Sequence, residues 1–133
     1  MDYIVPSQNI RLKRIYEPAA KGDGTRILID RLWPRGVTKA EARLDEWNRE
    51  VTPSGRLRAW FGHDPERWAE FSRRYRAELA RHAEALGQLR RQARAGPITL
   101  LYAAKDERHT HAVVLRNVLL GRTKAEGEDG DGQ

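Results

Sequence analysis

Two short, largely apolar runs stand out along the chain: Ile27 to Ile29, and Ile98 to Tyr102. Runs of this length between polar segments predict strands buried on both faces, as in a parallel sheet. They place strands at 26–30 and 98–102. Residues 10–16 half alternate, with Ile10 and Leu12 on one face and Arg11 and Lys13 on the other, which predicts a strand near a sheet edge. Residues 17–24 are a turn by composition. Elsewhere the apolar period lengthens to three and four. Asp64-Pro65 starts a helix, and Trp68, Phe71, Tyr75 and Leu79 form its apolar stripe. Residues 83–95 repeat the pattern through Leu86, Leu89 and Ala93 until Gly96-Pro97 stops them. A last helix is predicted over 109–120, with Gly121 placed to end it. Thr38 and Glu41 have capping-box spacing and predict a short helix after Gly36. Residues 44–51 run into Thr52-Pro53, which favours extended backbone, so a third strand is expected there. Ser54 then caps a short helix that turns Leu57, Trp60 and Phe61 inwards.

Apolar strands separated by helices predict one α/β domain: a small layered, Rossmann-like unit with a mostly parallel central sheet flanked by helices and right-handed crossovers. The domain is expected over 10–121, after a loose arm at 1–9 and before a disordered acidic and glycine-rich tail at 122–133. In open sheets of this kind ligands bind beyond the carboxyl ends of the strands. Three polar loops would meet there: 30–35, 52–58 and 105–109.

Composition narrows the classes. With 133 residues, 39% hydrophobic and 33% charged, the chain is long enough for one real core and too apolar for a disordered one. Apolar runs are far too short to span a bilayer. Without a basic-then-apolar leader or any cysteine, a reducing cytoplasm is the expected compartment. Cysteine metal sites and thiolate chemistry are excluded. The formal charge is +6; residues 121–133 contribute −2, which leaves +8 on residues 1–120. Such an excess draws anionic partners, although arginines also simply solubilise helix faces.

The chemistry gathers at 30–35, where the first buried strand gives way to Asp30, Arg31, Trp33, Pro34 and Arg35. Arg31 and Arg35 are planar cationic forks suited to carboxylate or phosphate, and Lys105 adds a point charge from the facing loop. The alternative is that Asp30 pairs with these arginines to hold the turn. Asp106 reads as the cap of the last helix. His109 is the preferred acid–base candidate, with Asp30 orienting the arginines or taking a proton. Tyr102 ends its strand and either directs its hydroxyl into the cleft or finishes the core. Trp33 is the one tryptophan inside the charged turn. His63 reads as the residue before the Asp64 cap. His109 and His111, two apart in one helix, would face different ways and ligate no metal. No glycine-rich loop marks a cofactor site, so neither cofactor nor metal is expected.

Several of these motifs recur together. DRLWPRG, the run from Trp47 to Ser54, the segment from Leu57 to Leu79, TLLYAAKD and HAVVL appear in the order and spacing that resembles the YeaO-like branch of the family called domain of unknown function 488. The resemblance covers about residues 9–120 and implies a small bacterial or archaeal cytoplasmic protein, with no activity attached. Thr110 stands where that family generally has Asn. A transcription-regulator or methyltransferase role finds no helix-turn-helix pattern or glycine-rich loop here. Two functions follow. One is a site for a small anionic molecule, with or without turnover. The alternative is a nucleic-acid-binding module using Arg67, Arg73, Arg74, Arg76, Arg81, Arg90, Arg91 and Arg94, although Glu66, Glu70, Glu78 and Glu84 are interleaved with them.

Overall fold

In a computed structural model that describes residues 4–123, four strands form one sheet in the order β1-β4-β2-β3, with every pairing parallel. The strands are β1 (Ile10–Arg14), β2 (Thr25–Leu28), β3 (Glu46–Trp47) and β4 (Ile98–Tyr102). β4 is the hydrophobic centre, and all five of its residues are buried. It pairs with β1 from Ile10↔Ile98 to Arg14↔Tyr102, and with β2 from Thr25↔Ile98 to Leu28↔Leu101. β1 lies at an edge, as its polar alternation requires.

The pleat divides the core in two. Ile27, Ile98, Leu100 and Tyr102 face the larger side with Trp68, Phe71, Tyr75 and Leu89. Leu28 and Leu101 face a smaller cluster with Ile15 and Ala42, flanked by Trp33 and Trp47. Five helices cover these faces: α1 (Lys39–Ala42), α2 (Gly55–Phe61), α3 (Trp68–Leu79), α4 (Ala83–Ala95) and α5 (His111–Leu119). α5 packs on α3, α4, β1 and β4. Among the described residues, no helix is long and apolar enough to cross a membrane.

Several boundaries differ from the sequence reading. β1 and β2 end at Arg14 and Leu28, short of the expected 16 and 30. Asp64-Pro65 opens a single 3₁₀ turn, Pro65–Arg67, before α3 begins at Trp68. The third strand is only two residues long. Asp45 accepts the Arg26 N–H through its carboxylate, and Asn48 donates to the Leu28 carbonyl, after which the chain leaves the sheet. The last helix starts at His111 because Thr110, in extended backbone, caps it through the Ala112 N–H. The described part of the N-terminal arm is packed: Val5 joins the core, and Asn9 donates to the Ala93 carbonyl at 2.7 Å. The predicted tail, from residue 124 onward, lies outside the described residues, as do residues 1–3.

At the opposite end from the strands' carboxyl termini, Arg26 anchors β2. Its guanidinium bonds Asp23 at 2.5 Å and the Ala42 carbonyl at 2.7 Å, while Lys13 holds the other Asp23 oxygen at 2.8 Å. Gly24 is required beside them. Its φ is 63°, and an added Cβ would sit 2.1 Å from the Pro97 carbonyl oxygen.

Candidate functional site

The loops that follow β1, β2 and β4 and the segment leading into α2 enclose a cleft of about 620 Å³ at the carboxyl end of the sheet. Asp30, Arg31, Trp33 and Arg35 line it from the β2 loop, and Lys105, Asp106 and His109 from the β4 loop. The three loops expected to converge therefore do so, and Arg31 and Lys105 share one cavity.

The β2 loop is held from several sides. The Asp30 carboxylate accepts the Ala103 N–H at 2.9 Å, which ties it to the β4 loop. The Trp47 indole donates to the Asp30 carbonyl at 2.7 Å, the Trp33 indole to the Val37 carbonyl at 2.6 Å, and the Tyr16 hydroxyl to the Arg35 carbonyl at 2.9 Å. Trp33 and Trp47 also meet edge to face, 5.4 Å between centroids. Ser54, which caps α2, bonds Glu78 of α3 through both its N–H and its hydroxyl, at 2.8 and 2.7 Å. That fixes the helix carrying Arg58. The loops are braced largely through backbone groups and aromatic rings, which leaves the cationic side chains on the rim uncommitted.

Arg31, Arg35, Arg58 and Lys105 are exposed and line the cleft. Among the described residues, none of the four forms an ion pair or a side-chain hydrogen bond. Several cations elsewhere in the molecule are committed: Arg14 to the Ala103 and Ala104 carbonyls, Arg116 to the Ile10 carbonyl, and Arg73 and Arg74 to Glu70. The suggestion that Asp30 pairs with Arg31 or Arg35 is not how the turn is held. Its neighbours are Ala103 and His111.

Deeper in the cleft stand two aspartate–histidine couples. His111 donates from Nε2 to the Ile29 carbonyl at 2.7 Å, and the same nitrogen lies 3.4 Å from the Asp30 carboxylate. The carbonyl can only accept, so Nε2 carries the proton. Burial pushes the His111 pKa down and the Asp30 pKa up. For Asp30, burial outweighs His111, the Ala103 N–H, Arg58 and His63, which all pull the other way. The second couple is His109 Nδ1 donating to Asp106 at 2.8 Å. The other Asp106 oxygen accepts the Arg108 and His109 N–H groups, each at 3.0 Å. Burial opposes the Asp106 charge, but these bonds outweigh it and hold its carboxyl below the usual value. Asp106 therefore organises the turn before α5, while Thr110 does the capping. His109 precedes the helix, with its Nε2 left for the cleft.

Tyr102 is not brought to the cleft. It is buried in the core, and burial with Glu107 and Glu17 nearby pushes its phenol up to about 12. Arg58, at the end of the loop expected there, lines the cleft, and so do His63 and His111, which the sequence reading did not place there. His63 is presented by two successive left-handed residues, Gly62 at φ 53° and His63 at φ 58°. The arginines of the nucleic-acid alternative lie on α3 and α4, on the turn before α3 (Arg67) and on the link between the two helices (Arg81), and none lines this cavity. Among the described residues no cluster of histidines and carboxylates forms a metal site.

These features define a small parallel α/β domain with a cationic cleft at its carboxyl edge. The chain belongs to the DUF488-N3i family, described as the inactive DUF488-N3 subclade, which it matches over residues 9–133. It is 48% identical over 111 residues to the uncharacterized protein YeaO of Escherichia coli K12, covering 84% of this chain and 96% of the relative. It is 40% identical over 119 residues to the uncharacterized proteins Mb3100c of Mycobacterium bovis and Rv3073c of Mycobacterium tuberculosis, covering 90% of this chain and 100% of each relative. No solved structure matches it.

Proposed function

We propose that this protein binds a small anionic molecule, bearing phosphate or carboxylate, in the cleft at the carboxyl edge of the sheet, and that binding rather than turnover is its role. The observation that carries this reading is the set of four exposed cations, Arg31, Arg35, Arg58 and Lys105, that converge on one cavity without a close ion pair or side-chain hydrogen bond among the described residues. Guanidinium groups bind planar and tetrahedral oxyanions through paired N–H donors. Because the backbone of the loops is braced independently, little ordering is needed when an anion arrives.

The family's description as an inactive subclade favours binding over catalysis. Asp30 is engaged by Ala103, and His109 by Asp106. In this reading Asp30 positions the β2 loop, and His109 offers Nε2 as a hydrogen-bonding partner for the ligand. The test is thermal stabilisation of the full chain across a panel of phosphorylated and carboxylated small molecules. Stabilisation that Arg31→Ala abolishes, with unchanged circular dichroism, is the expected result. A panel without any stabilising anion would refute it.

A further inference from the structure

The anion-binding reading leaves most of the cleft unexplained. About 620 Å³ is far more than a bare oxyanion fills and lies within the roughly 300–1,000 Å³ range of pockets that take drug-sized molecules. Its floor is aromatic. Phe61 and Phe71 line it, stacked at 4.4 Å between centroids, and fully buried Trp68 and Tyr75 back them. The three histidines of the cleft stand against this floor: His63 on Phe61 at 6.1 Å, His109 on Trp68 at 5.3 Å and His111 on Tyr75 at 6.1 Å.

The mouth is also partly apolar. Leu32 is 65% exposed between Arg31 and Trp33, and Pro34 and Pro53 line the wall. Leu32 adds apolar surface at the mouth beside Arg31. Cations thus ring the rim, while rings and aliphatic groups form the wall and floor.

We infer that the ligand is an amphipathic anion, a phosphate monoester whose ester group is a flat aromatic body, with the phosphate held at the rim and the ring lying over Phe61 and Phe71 beside Leu32. This rests on the anion-binding reading and narrows it. Aromatic bodies suit a floor of stacked rings better than alkyl chains do, because offset and edge-on ring contacts add to area burial. A phosphate monoester suits three guanidiniums and an ammonium better than a single carboxylate, because it offers three acceptor oxygens and up to two charges.

The experiment is isothermal titration of the full chain with 1-naphthyl phosphate, inorganic phosphate and 1-naphthol. The expected result is naphthyl phosphate at least tenfold tighter than inorganic phosphate, with naphthol weaker than naphthyl phosphate. Leu32→Ser, at an exposed position that folding does not need, is expected to cut the naphthyl-to-inorganic affinity ratio at least threefold. Equal affinities for naphthyl and inorganic phosphate would overturn this inference and leave the anion reading standing. Naphthol binding as tightly as its phosphate, or no binding by either phosphate, would likewise overturn this inference, while the anion reading falls only if the phosphorylated and carboxylated panel also fails to stabilise the chain.

Discussion

Asp30 is the residue whose replacement separates a structural carboxylate from a spare one. In Asp30→Ala the Ala103 N–H loses its acceptor, and the β2 and β4 loops lose the strut between them. A hydrogen bond to a charged group contributes about 1.5–3 kcal/mol. The Asp30 side chain keeps 18% of its surface, and Ala103 is half-buried, so water recovers part of the loss. The expected cost is therefore about 1–2 kcal/mol, or roughly 4–8 °C in Tm for a domain of this size. Asp30→Asn retains an oxygen for the Ala103 N–H and removes a charge that burial disfavours. Its expected cost at neutral pH is below about 1 kcal/mol.

The pH dependence has a definite sign. The folded pKa of Asp30 is raised above its usual 3.8, so the folded state prefers the protonated acid. Its stabilising contribution is full below 3.8 and is lost as pH rises through the raised value. Measured by urea denaturation between pH 3.5 and 7, Asp30→Asn should gain on the wild type as pH rises. Equal destabilisation by Ala and Asn, or a gap moving the other way with pH, would refute the assignment of Asp30 as a loop strut whose charge burial disfavours.

Two further outcomes follow from the other end of the sheet. Arg26→Met should destabilise by about 3–5 kcal/mol in chemical denaturation, because it leaves the buried Asp23 with only Lys13 and the Ala20 N–H and orphans the Ala42 carbonyl; a loss below about 1 kcal/mol would contradict that account. Gly24→Ala should cost about 3 kcal/mol or more, or prevent folding, since the added Cβ meets the Pro97 backbone at 2.1 Å with φ at 63°. Native-like thermal stability of that variant would mean the turn relaxes freely.

The sequence carried most of the frame because its signals were local. The second long helix, 83–95, and the central strand, 98–102, have the expected bounds, set by Gly96-Pro97 between them. Thr38 and Glu41 form the capping box in both directions, at 3.1 and 3.0 Å. What was lost depends on distant partners. The third strand shrank to Glu46–Trp47 because its length is decided by Asp45 and Asn48 bonding to β2. The sequence hides His111 because 109 and 111 read as one helix. An Asp106 turn and the Thr110 cap separate them, and only the fold brings His111 to Ile29 and Asp30. Arg58 looks like any solvated helix charge until α2 is pinned to Glu78. Tyr102 was recoverable from the sequence: it shares strand parity with Ile98 and Leu100, and that face is the core.

The central claim is that Arg31, Arg35, Arg58 and Lys105 form one anion site. A crystal structure of the full chain grown in ammonium sulfate addresses it most directly. The account predicts a sulfate in the cleft with oxygens within hydrogen-bonding distance of at least two of those four side chains. Sulfates bound only to the arginines of α3 and α4, with the four cleft cations turned to solvent, would contradict it.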